Sequence, residues 1–140
     1  MIVRGGLFRN SVASLVLFSL ILVGLSATAG GCDSQADGVK STVNAFYDAV
    51  VRGDRGAEIA LWAPDRQDQG ASGADAWAKR DKEALKLDEV HIDPGPADDQ
   101  RLAHITLSID DKARPGKRRY ESQVLLLQQT AEGWRIRDAR

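Results

Sequence analysis

The chain has 140 residues, 43% hydrophobic and 28% charged, with 19 Lys plus Arg, 20 Asp plus Glu and one cysteine. That is the make-up of one globular domain, too short for two and too evenly charged for a general nucleic-acid binder. A single cysteine also excludes a disulfide framework.

Charge is unevenly placed, because residues 10–31 carry no ionisable side chain and every acidic residue lies at Asp33 or beyond. Met1 to Asn10 holds Arg4 and Arg9, Ser11 to Leu25 is nearly unbroken apolar sequence, and Ser26 to Gly31 is built of small residues. Basic start, apolar middle and small-residue end make a secretory signal peptide. Leu15 to Leu25 supplies roughly 16 Å of apolar helix against a hydrocarbon core of about 30 Å, too little for a permanent span.

The only cysteine follows at once, in Ala29-Gly30-Gly31-Cys32, and Asp33-Ser34-Gln35 opens the polar region. This resembles a bacterial lipoprotein signal with its lipobox, with Ala29 standing where that pattern usually has Leu. The resemblance implies that Cys32 is lipidated and becomes the mature N-terminus, with membrane lipid as its partner. The protein is then held in the cell envelope, facing the periplasm or the exterior. Asp33 resembles a signal that retains some lipoproteins at the inner membrane; inner versus outer membrane stays open. The competing reading cuts after Ala29 at Ala27-Thr28-Ala29 and releases a secreted soluble protein with a lone thiol, a liability in an oxidising compartment. The chain thus divides into a signal peptide at 1–31, a short tether at 32–38 and a domain at 39–140.

In the domain, Val39, Val43, Phe46, Tyr47 and Val50 share one face of a helix, with Asp37 as its N-cap and Gly53 just past its end. Asp54 caps a second helix through Ala57, Ala60 and Leu61, ended by Pro64. Arg52-Gly53-Asp54 spells an adhesion tripeptide, but its place at a helix corner assigns it to capping. Arg66 to Gly73 has no periodicity and reads as a loop. Ser72 and Asp75 have capping-box spacing ahead of a third helix, about Ala74 to Leu85.

The period then changes. Lys86 to Ile92 reads as a strand closed by Pro94-Gly95-Pro96. Leu102 to Ile109 alternates, with Ala103, Ile105, Leu107 and Ile109 inward and His104, Thr106 and Ser108 outward. Arg118 to Gln129 is a longer strand, and Glu132-Gly133 turns the chain into Trp134 to Asp138. Three helices followed by four hairpin-joined strands define an α+β fold with a curved, mostly antiparallel sheet.

This order, with Val43, Phe46, Gly53-Asp54, Ala63-Pro64-Asp65 and the Gly133-Trp134-Arg135-Ile136 ending, resembles the nuclear-transport-factor-2-like superfamily, in particular its small bacterial lipoproteins. The resemblance covers about Val39 to Asp138. It implies a cone in which the sheet wraps the first helix and leaves a pocket at the open end. The superfamily includes isomerases, dehydratases, hydrolases and proteins without catalysis, so fold does not decide function.

Strand parity makes the inward set almost wholly apolar, without the acid–base pair that proton transfer needs. Asp138, Tyr47 and Tyr120 are the weak catalytic candidates, for a hydro-lyase or isomerase. Tyr47, Trp62, Trp77, Tyr120 and Trp134 are candidates to line a pocket. Lys112, Arg114, Lys117, Arg118 and Arg119 form a basic hairpin tip, read first as a charged edge that discourages pairing and second as a contact for anionic lipid or an acidic partner. His91 and His104 have no metal-ligand spacing, and no cofactor motif appears. The leading expectation is a membrane-anchored lipoprotein whose non-catalytic domain binds a small apolar ligand or an envelope protein. A structural interaction module acting through the sheet face, or as a homodimer, is a further alternative.

Overall fold

The computed structural model describes residues 31–80 and 83–140. The signal peptide, the cleavage sites and the side chain of Cys32 lie outside the described residues. Among those described, no helix is long and apolar enough to cross a membrane.

Helix α1 (Gly31–Arg52) carries the expected stripe, with Val39, Val43, Phe46 and Tyr47 all buried. It begins earlier than the sequence implies: residues 32–38, expected as a tether, are helical, and Asp37 lies within the helix rather than capping it. Tertiary contacts stabilise those added turns. Arg101 Nη2 donates to Gln35 Oε1, and the Arg101 guanidinium lies 5.8 Å from the Trp134 ring centre. At Gly38 the helix presses on that indole, since a Cβ there would stand 2.9 Å from Trp134 Cδ1.

The helix ends as expected. Gly53 takes φ +67°, its N–H donates to Val50 O at 3.1 Å, and the Asp54 N–H donates to Ala49 O at 2.9 Å. These are the paired bonds of a Schellman stop. Asp54 then caps α2 (Arg55–Ala60), its Oδ1 accepting from Ala57 N at 3.0 Å. Asp54→Ala is expected to cost about 1 kcal/mol in chemical denaturation, the usual loss of an N-cap oxygen.

Pro64 does not end α2. The helix stops at Ala60, and Pro64 opens a short 3-10 turn, Pro64–Arg66. Between the two, Trp62 forms a parallel bridge to Ile136, with Ala63 N donating to Ile136 O at 2.8 Å and Ile136 N to Leu61 O at 2.9 Å. The Arg66 to Gly73 loop is a correction too, because α3 runs Gln67–Ala78. Ser72 is inside it, donating to Asp68 O at 3.1 Å, and Asp75 pairs with Arg55 at 2.9 Å instead of boxing a helix start. Two glycines in eight residues hide the helical period, yet Gly70 is buried against Trp62 because only a bare backbone fits there.

Strands β1 (Glu83–Pro94), β2 (Gln100–Asp111), β3 (Arg118–Thr130) and β4 (Gly133–Ala139) form one antiparallel sheet in sequence order. Its inner face supplies Ala103, Ile105, Leu107, Ile109, Leu125, Leu127, Trp134 and Ile136 to the core under α1. The fold class is the expected α+β. Ser108 departs from its expected exposure: it is buried on the outer face, between its register partners Lys86 and Tyr120.

Candidate functional site

Two clefts open on either side of a wall made by Trp77 and Arg80. The first, about 580 Å³, lies between the end of α1, α2, the end of α3 and the start of β1. The second, about 590 Å³, lies between α3, the middle of β3 and the end of β4, with Phe46, Trp62 and Leu125 among its walls.

The wall is fixed by polar side chains from β3. Leu125 and Leu127 point inward, and the period of two places Gln123 and Glu121 on the same face, opposite Ile105 and Leu107 of β2. Arg80 grips Glu121 with both terminal nitrogens, at 3.1 and 2.9 Å, while its guanidinium carbon lies 4.6 Å from the Trp77 ring centre. Behind it Tyr47 Oη donates to Gln123 Oε1 at 2.6 Å, and its ring meets Trp77 edge-on at 6.3 Å. Burial pushes the Tyr47 phenol pKa upward, so the hydroxyl is a neutral donor. The expected wholly apolar interior is therefore corrected by Glu121 and Gln123, which inward parity from Leu125 and Leu127 already dictates.

Of the three catalytic candidates, Asp138 lines the second cleft with Gln123, the hydrogen-bond partner of Tyr47, while Tyr120 lies apart on the outer face. A register slip between Leu126 and Leu127 makes Arg137 an extra residue, so Asp138 stands opposite Leu126 rather than keeping the parity of Ile136. Its carboxylate accepts from Ala139 N at 3.0 Å and Arg140 Nε at 2.8 Å. Tyr120 is 66% exposed on the outer face and lines neither of these two clefts, whereas Tyr47 is 2% exposed and bonded to Gln123. Of the pocket candidates, Trp77 lines both clefts and Trp62 the second, while Trp134 belongs to the core against Gly38.

The basic tip is largely neutralised by its own strand ends. Arg114 pairs with Asp111 at 2.7 Å, Arg118 with Asp110 at 2.9 Å and Arg119 with Glu121 at 3.2 Å. The hydrogen bond from Arg118 holds the Asp110 carboxyl below its ordinary pKa. Lys112 and Lys117 stay exposed on the hairpin, and Lys112 also reaches the first cleft. On the outer sheet face His91 stands opposite His104, and both approach Asp93, at 3.1 and 3.2 Å. Among the described residues no group of three or more His, Cys, Asp or Glu forms a metal cage.

Glu58 is the residue that the sequence reading missed. It is the one buried residue of α2, 3% exposed, and its Oε2 has no hydrogen-bond partner. The second helix is expected to run through Ala57, Ala60 and Leu61, of which Ala60 is exposed. The signal in the sequence is slight, the i, i+3 spacing of Glu58 and the cap residue Leu61. Burial first and the Asp54 charge second raise the Glu58 pKa, with Arg55 opposing.

A carboxyl whose folded pKa is raised binds its proton more tightly in the native state, so its contribution to stability is fully present below the unfolded pKa and is lost as pH rises through the folded one. Glu58→Gln removes that loss. Denaturation midpoints of wild type and Glu58→Gln, compared from pH 4 upward, are expected to diverge in favour of the variant as pH rises. A constant difference would remove Glu58 from the account.

No protein-family model matches the chain, and no curated protein matches it in sequence. Solved structures do. A protein with a cystatin-like fold from Caulobacter vibrioides superposes with a TM-score of 0.63 at 18% identity, over 76% of this chain and 87% of that one. A nuclear-transport-factor-2-like protein with a cystatin-like fold from Novosphingobium aromaticivorans gives 0.60 at 14% identity, over 76% and 79%. A dehydratase candidate of the same family from Streptomyces avermitilis gives 0.59 at 21% identity, over 76% and 94%. The helices laid on a four-stranded antiparallel sheet, with clefts at one end, are the nuclear-transport-factor-2-like, cystatin-like fold.

Proposed function

We propose that the chain is an exported, lipid-anchored protein whose domain binds a small, largely apolar ligand at the Trp77–Arg80 mouth without catalysing a reaction. One observation supports the binding role: two clefts of about 580 and 590 Å³, the size of small-molecule sites, flank an aromatic wall. Two polar groups of the wall are engaged with neighbouring side chains, Tyr47 with Gln123 and Glu121 with Arg80. A hydro-lyase or isomerase using Asp138 with Tyr47 or Tyr120 is the second reading, since Tyr47 is bonded to Gln123, Asp138 to Arg140, and Tyr120 faces outward. The anchor rests on the order of basic, apolar and small residues that ends at Cys32.

Each half has its own test. Titration of the purified chain with 2-naphthoate, followed by amide and indole NMR shifts, is expected to saturate below millimolar concentration with the largest changes at Trp77 and Arg80. Uniform, unsaturating shifts would overturn the binding role. Mass spectrometry of the mature protein from bacterial membranes is expected to find an acylated N-terminal Cys32. An N-terminus at Gly30, or an unmodified Cys32, would overturn the anchor.

A further inference from the structure

The structure assigns a ligand chemistry to the first cleft, resting on the binding role above. We propose that it takes a hydroxy acid with an apolar body, whose hydroxyl donates to the Glu58 carboxyl while its carboxylate meets the basic rim. Three independent features converge on that class.

The first is Glu58 itself, 3% exposed, lining the cleft and with an oxygen that nothing in the protein satisfies. A buried acceptor without a donor destabilises the fold, and a side chain as short as Leu or Met would fill the same helix face without that loss. Oε2 is sealed from the cleft, and a half-turn about the last bond of the side chain only exchanges two equivalent oxygens, so a ligand meets the cleft-side oxygen of the carboxyl. A ligand hydroxyl donates to that cleft-side oxygen, and a site built to bond a hydroxyl rejects the analogue that lacks it.

The second feature is the wall between: Val50, Ala74, Trp77 and Leu85 offer apolar surface and nothing that would hold a polar middle. The third is charge. Among the described residues Glu58 is the only acidic one lining the cleft, whereas Arg52, Arg55, Arg80 and Lys112 supply four cationic side chains. Arg55 and Arg80 are oriented by Asp75 and Glu121, each at 2.9 Å, so their positions are set before a ligand arrives. Asp75 and Glu121 offset part of that charge, and Arg52 and Lys112 add to it; an amine would satisfy Glu58 as a donor, but it would have to pass the rim as a cation. An alcohol or phenol meets no such repulsion, and a carboxylate at the far end is attracted by it.

The test uses two matched probes, 6-hydroxy-2-naphthoate and 6-methyl-2-naphthoate, titrated into the full chain and into Glu58→Leu and Glu58→Gln. Wild type is expected to bind the hydroxy probe at least tenfold tighter, with NMR shifts centred on Glu58, Ala74 and Leu85. Glu58→Leu is expected to bring that ratio to about one while raising the denaturation midpoint, a combination that a merely structural residue would not give. If Glu58→Leu fails to fold, the Glu58 carboxyl ¹³C shift in wild type decides, moving with the hydroxy probe and not with the methyl probe. Glu58→Gln keeps an acceptor and is expected to keep part of the preference. Equal wild-type affinities, a ratio unchanged in Glu58→Leu, or shifts centred on Gln69 and Asp138 of the second cleft would overturn the assignment while leaving ligand binding intact. Failure of both probes to bind would overturn both.

Discussion

Phe46→Ala is expected to lower the unfolding free energy by about 3 to 5 kcal/mol, the cost of a large cavity in a packed core. Phe46 is 5% exposed, stacks edge-on against Tyr47 at 5.1 Å between ring centres, and also forms a wall of the second cleft. Its loss removes apolar contact between α1 and the sheet and frees the Tyr47 ring that backs Trp77. Denaturant unfolding read by tryptophan fluorescence would measure it. A loss below about 1 kcal/mol would mean that α1 is not the main cover of the sheet.

Gly70→Val is expected to cost about 3 kcal/mol, the upper end for overpacking, although the site is in a helix with solvent on its other side. A Cβ there would stand 2.7 Å from Trp62 Cδ1 and Cγ and 3.2 Å from Nε1. The indole has little room to retreat, because the Trp62 backbone is bridged to Ile136. Gly73 is the matched control three residues on: a Cβ there meets nothing within 4 Å. Gly73→Ala is expected to add up to about 1 kcal/mol through helix propensity alone. If both substitutions cost the same, packing on Trp62 is not what keeps Gly70.

Those two glycines also explain where sequence reading fell short. Elements with strong periods were legible: the Val39 to Val50 stripe, the alternation of β2, the hairpin turns and the Gly53-Asp54 corner all appear within a few residues of their expected bounds. The helix from Gln67 was not, because its most informative position is chosen for absence of a side chain. A glycine demanded by a neighbouring indole looks, in sequence, like a loop. Asp138 shows a second limit: counting by twos along β4 fails at Arg137, since a bulge leaves no mark in residue types.

The candidate site was partly legible. Trp62 and Trp77 were identified as wall residues, and the polar partners Glu121 and Gln123 were open to the same parity that placed Leu125 and Leu127. Glu58 was hidden for a physical reason. Patterns are read by asking where apolar residues recur, and a carboxyl occupying an apolar position breaks the pattern instead of extending it.

The bridge between Trp62 and Ile136 bears on how the molecule opens. At Ile136 the last strand is flanked on both sides, by Leu127 of β3 and by the α2–α3 link through Leu61 and Ala63. The C-terminal strand therefore cannot peel from the sheet as a frayed end would; the link must let go with it. The amides of Ala63 and Ile136 should exchange with solvent at matched protection, as one cooperative unit joining two segments more than seventy residues apart.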